Sequence, residues 1–170
     1  MLRVLAFAAV CAMAGCGGEQ PARRATVNAN ARPVTPRSKL PASIQPLLPK
    51  HGVYVAGGGM VSSAWRVILD LEAKTLYGGT ASASNAPSFG PMDKESKKDL
   101  SQRNEELLME LANAAWNEVP PDEALNPTAD YDEVFIVVSG DDAFFLQGFG
   151  PIRRPLAAKA IIELRAAAGL

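Results

Sequence analysis

The stretch VFIVVSGDDAFFL, residues 134–146, contains two short apolar runs on either side of Ser139-Gly140-Asp141-Asp142. Short runs rich in β-branched and aromatic side chains are typical of buried β-strands. Glycine at the first central position of the connection favours a type II′ turn, which joins antiparallel strands tightly. The stretch therefore predicts a β-hairpin around which the rest of the fold is arranged.

Both faces of this hairpin are apolar, because large hydrophobic side chains occupy consecutive positions instead of alternate ones. Neighbouring residues of a strand, such as Phe144 and Phe145, point to opposite faces of the sheet. One face is expected to pack on helices, and the other needs a cover. That cover is either the protein's own loops, a partner protein or a second copy, so Phe144 and Phe145 are candidate residues of a partner surface.

Weaker patterns before the hairpin predict three further strands in the same domain. The longest of them, over residues 65–72, alternates in the period of two that is typical of a strand with one buried face, and the other two are short extended stretches. These strands are expected at residues 53–56, 65–72 and 75–77. Gly57-Gly58-Gly59 is expected to end the first of them and to form a flexible hairpin connection. It lacks the Gly-Lys-Ser/Thr ending of a phosphate loop, and its alternative role is a surface that a partner approaches closely.

Two helices complete the predicted domain. Apolar residues at three-to-four-residue spacing predict a helix over residues 94–118, with Asp93 as its N-cap and Pro120 after its end. Pro155 suits the first turn of a second helix over residues 156–168. The order β-β-β-α-β-β-α indicates one α+β domain over residues 51–170, with two layers and a mainly antiparallel sheet.

Acidic residues accumulate between the long helix and the hairpin, and no Lys, Arg or His lies between Arg103 and Arg153. Asp130, Asp132 and Glu133 offer oxygen ligands of the kind that calcium prefers. The stretch lacks the turn glycine and the closing glutamate of an EF-hand loop, and a solvated acidic loop is the simpler interpretation. A metal site at these three residues remains the alternative.

Catalytic and nucleic-acid-binding patterns are weak in this chain. His51 is the only histidine and lies at the start of the domain, which disfavours a Ser-His-Asp arrangement. A formal net charge of −1 does not favour nucleic acid as a partner. The sequence therefore predicts no enzyme activity and no cofactor.

The N-terminus predicts a secretory signal peptide over residues 1–15. A positive start is followed by an apolar run over residues 4–13 and by the small pair Ala14-Gly15. This run is shorter than the roughly 20 residues that a membrane-spanning helix requires. Met13-Ala14-Gly15-Cys16 resembles the lipobox of bacterial lipoproteins.

The resemblance implies that Cys16 is acylated and becomes the first residue of the mature chain, while Cys11 is removed with the signal peptide. It also implies a membrane partner, reached through the lipid. Gly17 follows the cysteine where the family's inner-membrane retention signal has Asp. The outer membrane is therefore the favoured destination, with the domain facing the periplasm.

Residues 16–50 are expected to form the lipidated cysteine and a disordered tether. Six prolines, no aromatic residue and a predominance of basic over acidic residues lie between Gly17 and Lys50. Such a segment buries too little apolar surface to offset its chain entropy. A chain that begins near Pro49 is accordingly expected to melt at about the same temperature as the mature protein.

These observations predict a lipid-anchored envelope protein whose domain binds a protein partner or takes part in assembly without catalysis. The order of elements and the Gly57-Gly58-Gly59 turn also resemble small bacterial protease inhibitors of the emfourin type, which implies an inhibitor as one alternative. A hydrolase that uses Asp130 or Asp132 is the other.

Overall fold

A computed structural model describes residues 34–59, 62–82, 90–118 and 131–170, which form one antiparallel sheet with two helices. The sheet has seven strands in the order β1-β7-β6-β2-β3-β4-β5. The elements are β1 (Thr35–Pro36), β2 (His51–Gly59), β3 (Ser62–Asp70), β4 (Thr75–Ala81), β5 (Lys94–Asp99), α1 (Gln102–Trp116), β6 (Tyr131–Ser139), β7 (Asp142–Phe149) and α2 (Pro155–Ala168). The predicted α+β class is confirmed, and β1 and β5 are strands that the sequence patterns did not predict. Within the described residues, neither helix is long and apolar enough to cross a membrane.

The predicted hairpin is confirmed and lies inside the sheet. Ser139 pairs with Asp142, which leaves Gly140 and Asp141 as a two-residue connection. Gly140 has a φ of +65°, a conformation that costs glycine little and other residues more. Because β6 also pairs with β2 along its whole length, β6 lies inside the sheet, whereas β7 has only the two-residue β1 on its outer side.

Both helices cover one face of the sheet and form the larger core with it. Val53, Val67 and Phe135 point to this face from three neighbouring strands and are fully buried. The helices contribute small and aliphatic side chains, among them Ala112 and Leu164. Small residues let the helices approach the sheet closely, which is consistent with the near-complete burial of the whole cluster.

The opposite face is covered by residues 35–50, called here the covering segment. Leu40, Ile44 and Leu48 are buried in a second core. Their partners on the sheet are Tyr54, Ala56, Val134, Ile136, Val138 and Ala143. The segment starts as β1, which pairs with β7, and continues through two short 3₁₀ turns at Arg37–Lys39 and Gln45–Leu47. It therefore belongs to the domain.

The covering segment is fastened at both ends. Arg37 donates from its guanidinium to the carbonyl oxygens of Leu48 (3.0 Å) and Pro49 (2.9 Å), which closes the segment on itself. The backbone N–H of Arg37 donates to Asp141, and that of Gly140 donates to Lys50. The prediction of a disordered tether up to Lys50 is wrong for these residues. Prolines are compatible with extended and 3₁₀ backbone, and Leu40, Ile44 and Leu48 recur every four residues on one side.

The predicted boundaries of the first helix are also wrong. Residues Lys94–Asp99 form the edge strand β5, and α1 begins only at Gln102. Ser101, and not Asp93, is the N-cap, and its side chain accepts from the N–H of Asn104 at 3.4 Å. The stretch from Lys94 to Asp99 has no apolar residue to bury, so it gains more from hydrogen bonds to β4, and its lysines keep the exposed edge from pairing further.

The signal peptide, both cysteines and the tether up to Pro33 lie outside the described residues.

Candidate functional site

The three consecutive glycines are part of the central strand β2 and not of a hairpin connection. Gly57 pairs with Trp65 on one side and with Glu133 on the other. A β-carbon added to Gly57 would lie 2.7 Å from the Trp65 indole, and one added to Gly58 would lie 2.9 Å from the Ala64 backbone. Gly57 is required because the Trp65 indole packs directly on the strand, and Gly58 because the Ala64 backbone lies nearly as close. The predicted flexible connection is therefore wrong, and the resemblance to emfourin-type inhibitors loses its glycine-rich turn.

The two phenylalanines predicted as a partner surface, Phe144 and Phe145, are covered by the protein's own elements. Phe144 is buried on the helical face, where its ring stacks on Trp116 at 5.8 Å between centroids and meets the edge of Phe135 at 6.3 Å. Phe145 is half-buried and packs against the second core. Because neighbouring residues of β7 point to opposite faces of the sheet, Phe144 is covered by the helices and Phe145 packs against the second core. Phe144 is therefore not available as a partner surface.

The acidic residues proposed as metal ligands do not converge. Asp130 lies outside the described residues, and Asp132 and Glu133 are neighbours on β6, so their side chains point to opposite faces. Glu133 is buried and accepts from the N–H of Ile152 at 2.8 Å. In the described part of the chain no three His, Cys, Asp or Glu side chains are arranged to hold a metal ion.

His51 is the first residue of β2 and lies near two charged side chains. Its Nε2 is 3.9 Å from the carboxylate of Glu72, which also pairs with Lys50 at 3.2 Å. All three side chains are substantially exposed. Solvent screening makes such surface pairs weak, so they contribute little to stability.

A polar cluster that the sequence did not predict lies on the same face as the covering segment. It consists of Tyr54, Arg66, Tyr77 and Glu95, one residue from each of the adjacent strands β2, β3, β4 and β5. Tyr54 is fully buried and Arg66 is only 5% exposed. Alternation along the strands places these residues opposite the helices. A buried arginine is rare because removing its charge from water is costly.

Hydrogen bonds connect three members of the polar cluster in a chain. Arg66 donates from Nη1 to the carbonyl oxygen of Gly90 (3.2 Å) and from Nη2 to the hydroxyl of Tyr77 (3.3 Å). The Tyr77 hydroxyl in turn donates to Glu95 at 2.6 Å. The Arg66 guanidinium also lies 5.5 Å from the centre of the Tyr77 ring. The carboxylate of Glu95 therefore reaches Arg66 only through the tyrosine hydroxyl.

Two buried polar atoms of the cluster have no hydrogen-bond partner among the described residues, namely Nε of Arg66 and the hydroxyl oxygen of Tyr54. Burial raises the pKa of Tyr54 to about 12, although the nearby Arg66 guanidinium acts in the opposite direction. Burial and the hydrogen bond to Glu95 also raise the pKa of Tyr77. Both hydroxyls are consequently protonated at neutral pH. An unsatisfied buried donor typically costs about 1–3 kcal/mol.

Gly79 has no side chain, and the space above it is filled by Tyr77 and Met92, which cover the polar cluster. It pairs with Arg66 in the β3–β4 register. A β-carbon at Gly79 would lie 2.7 Å from Met92 and 2.8 Å from the Tyr77 hydroxyl. Met92 is half-buried, and an unbranched methionine side chain changes conformation easily. Met92 is therefore the movable part of this cover.

An open groove of about 300 Å³ lies beside the polar cluster. One wall is the end of the covering segment, Pro46 to Pro49, and the other is the sheet surface of β3, β4 and β5. The sheet residues are Ile68, Asp70, Thr75, Tyr77 and Lys97. Tyr77 belongs to both the groove and the cluster, so a ligand in the groove would lie next to the polar cluster.

No protein-family model and no curated protein matches this chain.

Proposed function

We propose that this protein is a bacterial envelope lipoprotein, anchored through acyl chains on Cys16, and that its domain acts by binding and not by catalysis. The anchor is supported by the lipobox-like Met13-Ala14-Gly15-Cys16 after an apolar run. The binding role is carried by one observation, the open groove, which shares Tyr77 with a polar cluster that contains the buried Arg66.

The covering segment shortens the link between the proposed lipid and the domain. Thr35 already pairs with β7, so only residues 17–33 lie between Cys16 and the described domain. A chain of that length reaches about 60 Å when fully extended. The domain of an anchored protein would therefore act close to the membrane surface.

The chemistry of the polar cluster favours recognition over proton transfer. Arginine is a permanent cation in proteins, and burial raises the pKa of Tyr54 to about 12, so the Tyr54 hydroxyl keeps its proton at neutral pH. Groups that hold their protons at neutral pH serve as hydrogen-bond donors to a ligand. They do not serve as general bases, whose pKa lies near the working pH.

The anchor is tested by two matched cysteine substitutions in the full chain. We expect Cys16→Ser to abolish labelling by a clickable palmitate analogue and to leave an uncleaved or mislocalised precursor. Cys11→Ser, in the segment that is removed, should be nearly silent. The wild type should stay in the membrane fraction through a high-salt wash, because more than one acyl chain holds firmly and salt does not weaken that attachment. Label that survives Cys16→Ser would contradict the anchor.

The binding role is tested by photo-crosslinking in intact cells. A photoreactive residue at position 97 lies in the groove, and one at position 159 lies on α2, across the sheet. Both positions carry exposed lysines, so neither substitution disturbs the core. We expect an adduct from position 97 and none from position 159. Equal adducts from both positions, or none from either, would contradict binding at the groove.

A further inference from the structure

We propose that the outer edge of β7 is an interaction surface for a second copy of this chain, whose own β7 pairs with it antiparallel about a two-fold axis. This inference goes beyond the proposed binding role of the groove, because the groove is lined by β3, β4 and β5, on the other side of the sheet. The pairing would join two seven-stranded sheets into one continuous sheet.

The outer edge of β7 is open over most of its length. β1 pairs only with Asp142 and Ala143, at the start of the strand. In the described part of the chain, no other strand lies on this side of β7. The stretch from Phe145 to Gly148 therefore has β6 as its one strand neighbour there. Gln147, in the middle of this stretch, is exposed.

The backbone groups at this edge point outward at two positions. The two-residue turn makes Ser139 and Asp142 a hydrogen-bonded pair, and such pairs alternate with non-hydrogen-bonded ones along an antiparallel ladder. The N–H and C=O groups of Phe145 and Gln147 consequently point away from β6. Ala143, two positions before Phe145, pairs with β1 on this same outer side, as the alternation requires. Such a row of backbone donors and acceptors is a template for a further strand.

The two edges of the sheet differ in charge. β5, at one edge, has three lysines and two acidic residues among six, and charged residues are a means of preventing further pairing at an edge. No charged residue lies between Ala143 and Ile152. A second copy of this uncharged stretch brings no charge either, so no ion has to be desolvated when the two edges pair.

The chain's own N-terminal side is a poor partner for the same edge. Continuing the register of β1 beyond Thr35 would place Pro33 opposite Phe145. Proline has no backbone N–H, so it cannot donate to the carbonyl oxygen of Phe145. A second β7 supplies both an N–H and a C=O at each outward position.

The open stretch is complementary to its own copy. Antiparallel pairing about a two-fold axis at Gln147 places this residue opposite Gln147 of the second copy and places Phe145 opposite Phe149. Every paired position is then one whose backbone groups point outward, and the two copies make identical contacts. β7 ends at Phe149, two residues before Pro151, so the strand of the second copy stops before it reaches β1.

Two substitutions at one position test the pairing in the purified full chain in non-ionic detergent. Gln147→Ala keeps the outward N–H, whereas Gln147→Pro removes it. Proline is compatible with an edge strand where the N–H does not bond the neighbouring strand. We expect dimers of the wild type and of Gln147→Ala by sedimentation. The dimer dissociation constant of Gln147→Pro should be at least about tenfold higher, because the two-fold axis makes each substitution remove two hydrogen bonds.

A second measurement decides the question even if the proline variant fails to fold. Cα atoms of a hydrogen-bonded antiparallel pair lie about 5.5 Å apart, within reach of a short bis-maleimide. We expect a crosslinked dimer from Gln147→Cys. Lys159→Cys, at an exposed position of α2 on the helical face, is the matched control and should give none. The wild type corrects for the native cysteines.

Three results would overturn the β7 pairing: a monomeric wild type, equal dissociation constants of Gln147→Pro and Gln147→Ala, or equal crosslinking from positions 147 and 159. Both measurements use the purified chain alone. Their outcome is therefore independent of the proposed lipid anchor and of binding at the groove.

Discussion

The covering segment gives the sharpest test of the structure, through the substitution Ile44→Ala. Ile44 is 5% exposed and packs in the second core with Leu40 and Leu48. Ile162 is the matched control, since it is an isoleucine in α2 that is 64% exposed. The same change of side chain is thus made once in a proposed core and once on the surface.

The expected magnitudes differ widely. Removing a buried isoleucine to alanine costs about 2–5 kcal/mol, because apolar contacts are lost and a cavity is left. For a domain of this size, a loss of about 3 kcal/mol corresponds to a fall in melting temperature of roughly 10 °C. Ile162→Ala should change the free energy of unfolding by less than about 0.5 kcal/mol, since it removes an exposed side chain and introduces a better helix former.

Thermal and urea-induced unfolding of the full chain measure both variants against the wild type. The same reasoning predicts that a chain beginning near Pro49 is severely destabilised, because Leu40, Ile44 and Leu48 each contribute about 1.5–3 kcal/mol by burial. The sum is comparable with the whole stability of a typical domain. A melting temperature of Ile44→Ala within about 1 °C of the wild type would refute the packing of this segment.

The remaining predictions concern the central strand, the polar cluster and the acidic residues. Gly57→Ala should lower the free energy of unfolding by about 1–3 kcal/mol, because its β-carbon would meet Trp65 at 2.7 Å, and chemical denaturation measures it. Tyr54 has a pKa of about 12 in the folded state against the ordinary 10, so the unfolded chain loses this proton first and stability falls as pH rises from about 10 to 12. Tyr54→Phe should lose less free energy of unfolding than the wild type between pH 9 and pH 11, as measured by urea titrations at the two pH values. Equal losses in the variant and the wild type would contradict this prediction. Millimolar calcium should leave the melting temperature within about 1 °C, and a rise of several degrees that disappears in Asp132→Asn would show a calcium site instead.

Two parts of the candidate site have sequence patterns that indicate a different structure from the one observed. Arg66 alternates with the apolar residues of β3, a pattern that ordinarily places a charged residue in solvent. Gly57-Gly58-Gly59 looked like a turn because glycine is common in turns, yet here it accommodates Trp65. The informative signal was the recurrence of Leu40, Ile44 and Leu48 in a proline-rich stretch, since it indicates a segment with one apolar side.

The sequence alone determined the structural features that depend on residues close together in the chain. The apolar runs and Gly140 determined the hairpin, alternation determined β3, and Pro155 with the residues after it determined the second helix. These features follow from backbone geometry and turn chemistry, which act over a few residues. The apolar character of both hairpin faces also showed correctly that each face needs a cover.

Only the tertiary structure decided which cover each face received. The covering segment closes the face opposite the helices, takes Tyr54 out of solvent and forms one wall of the groove beside Tyr77. The choice depends on contacts between residues far apart in the chain, whose gain in buried area outweighs local preferences for disorder. Lys94–Asp99 likewise forms an edge strand instead of the predicted helix, because its hydrogen bonds to β4 depend on contacts that only the folded sheet provides.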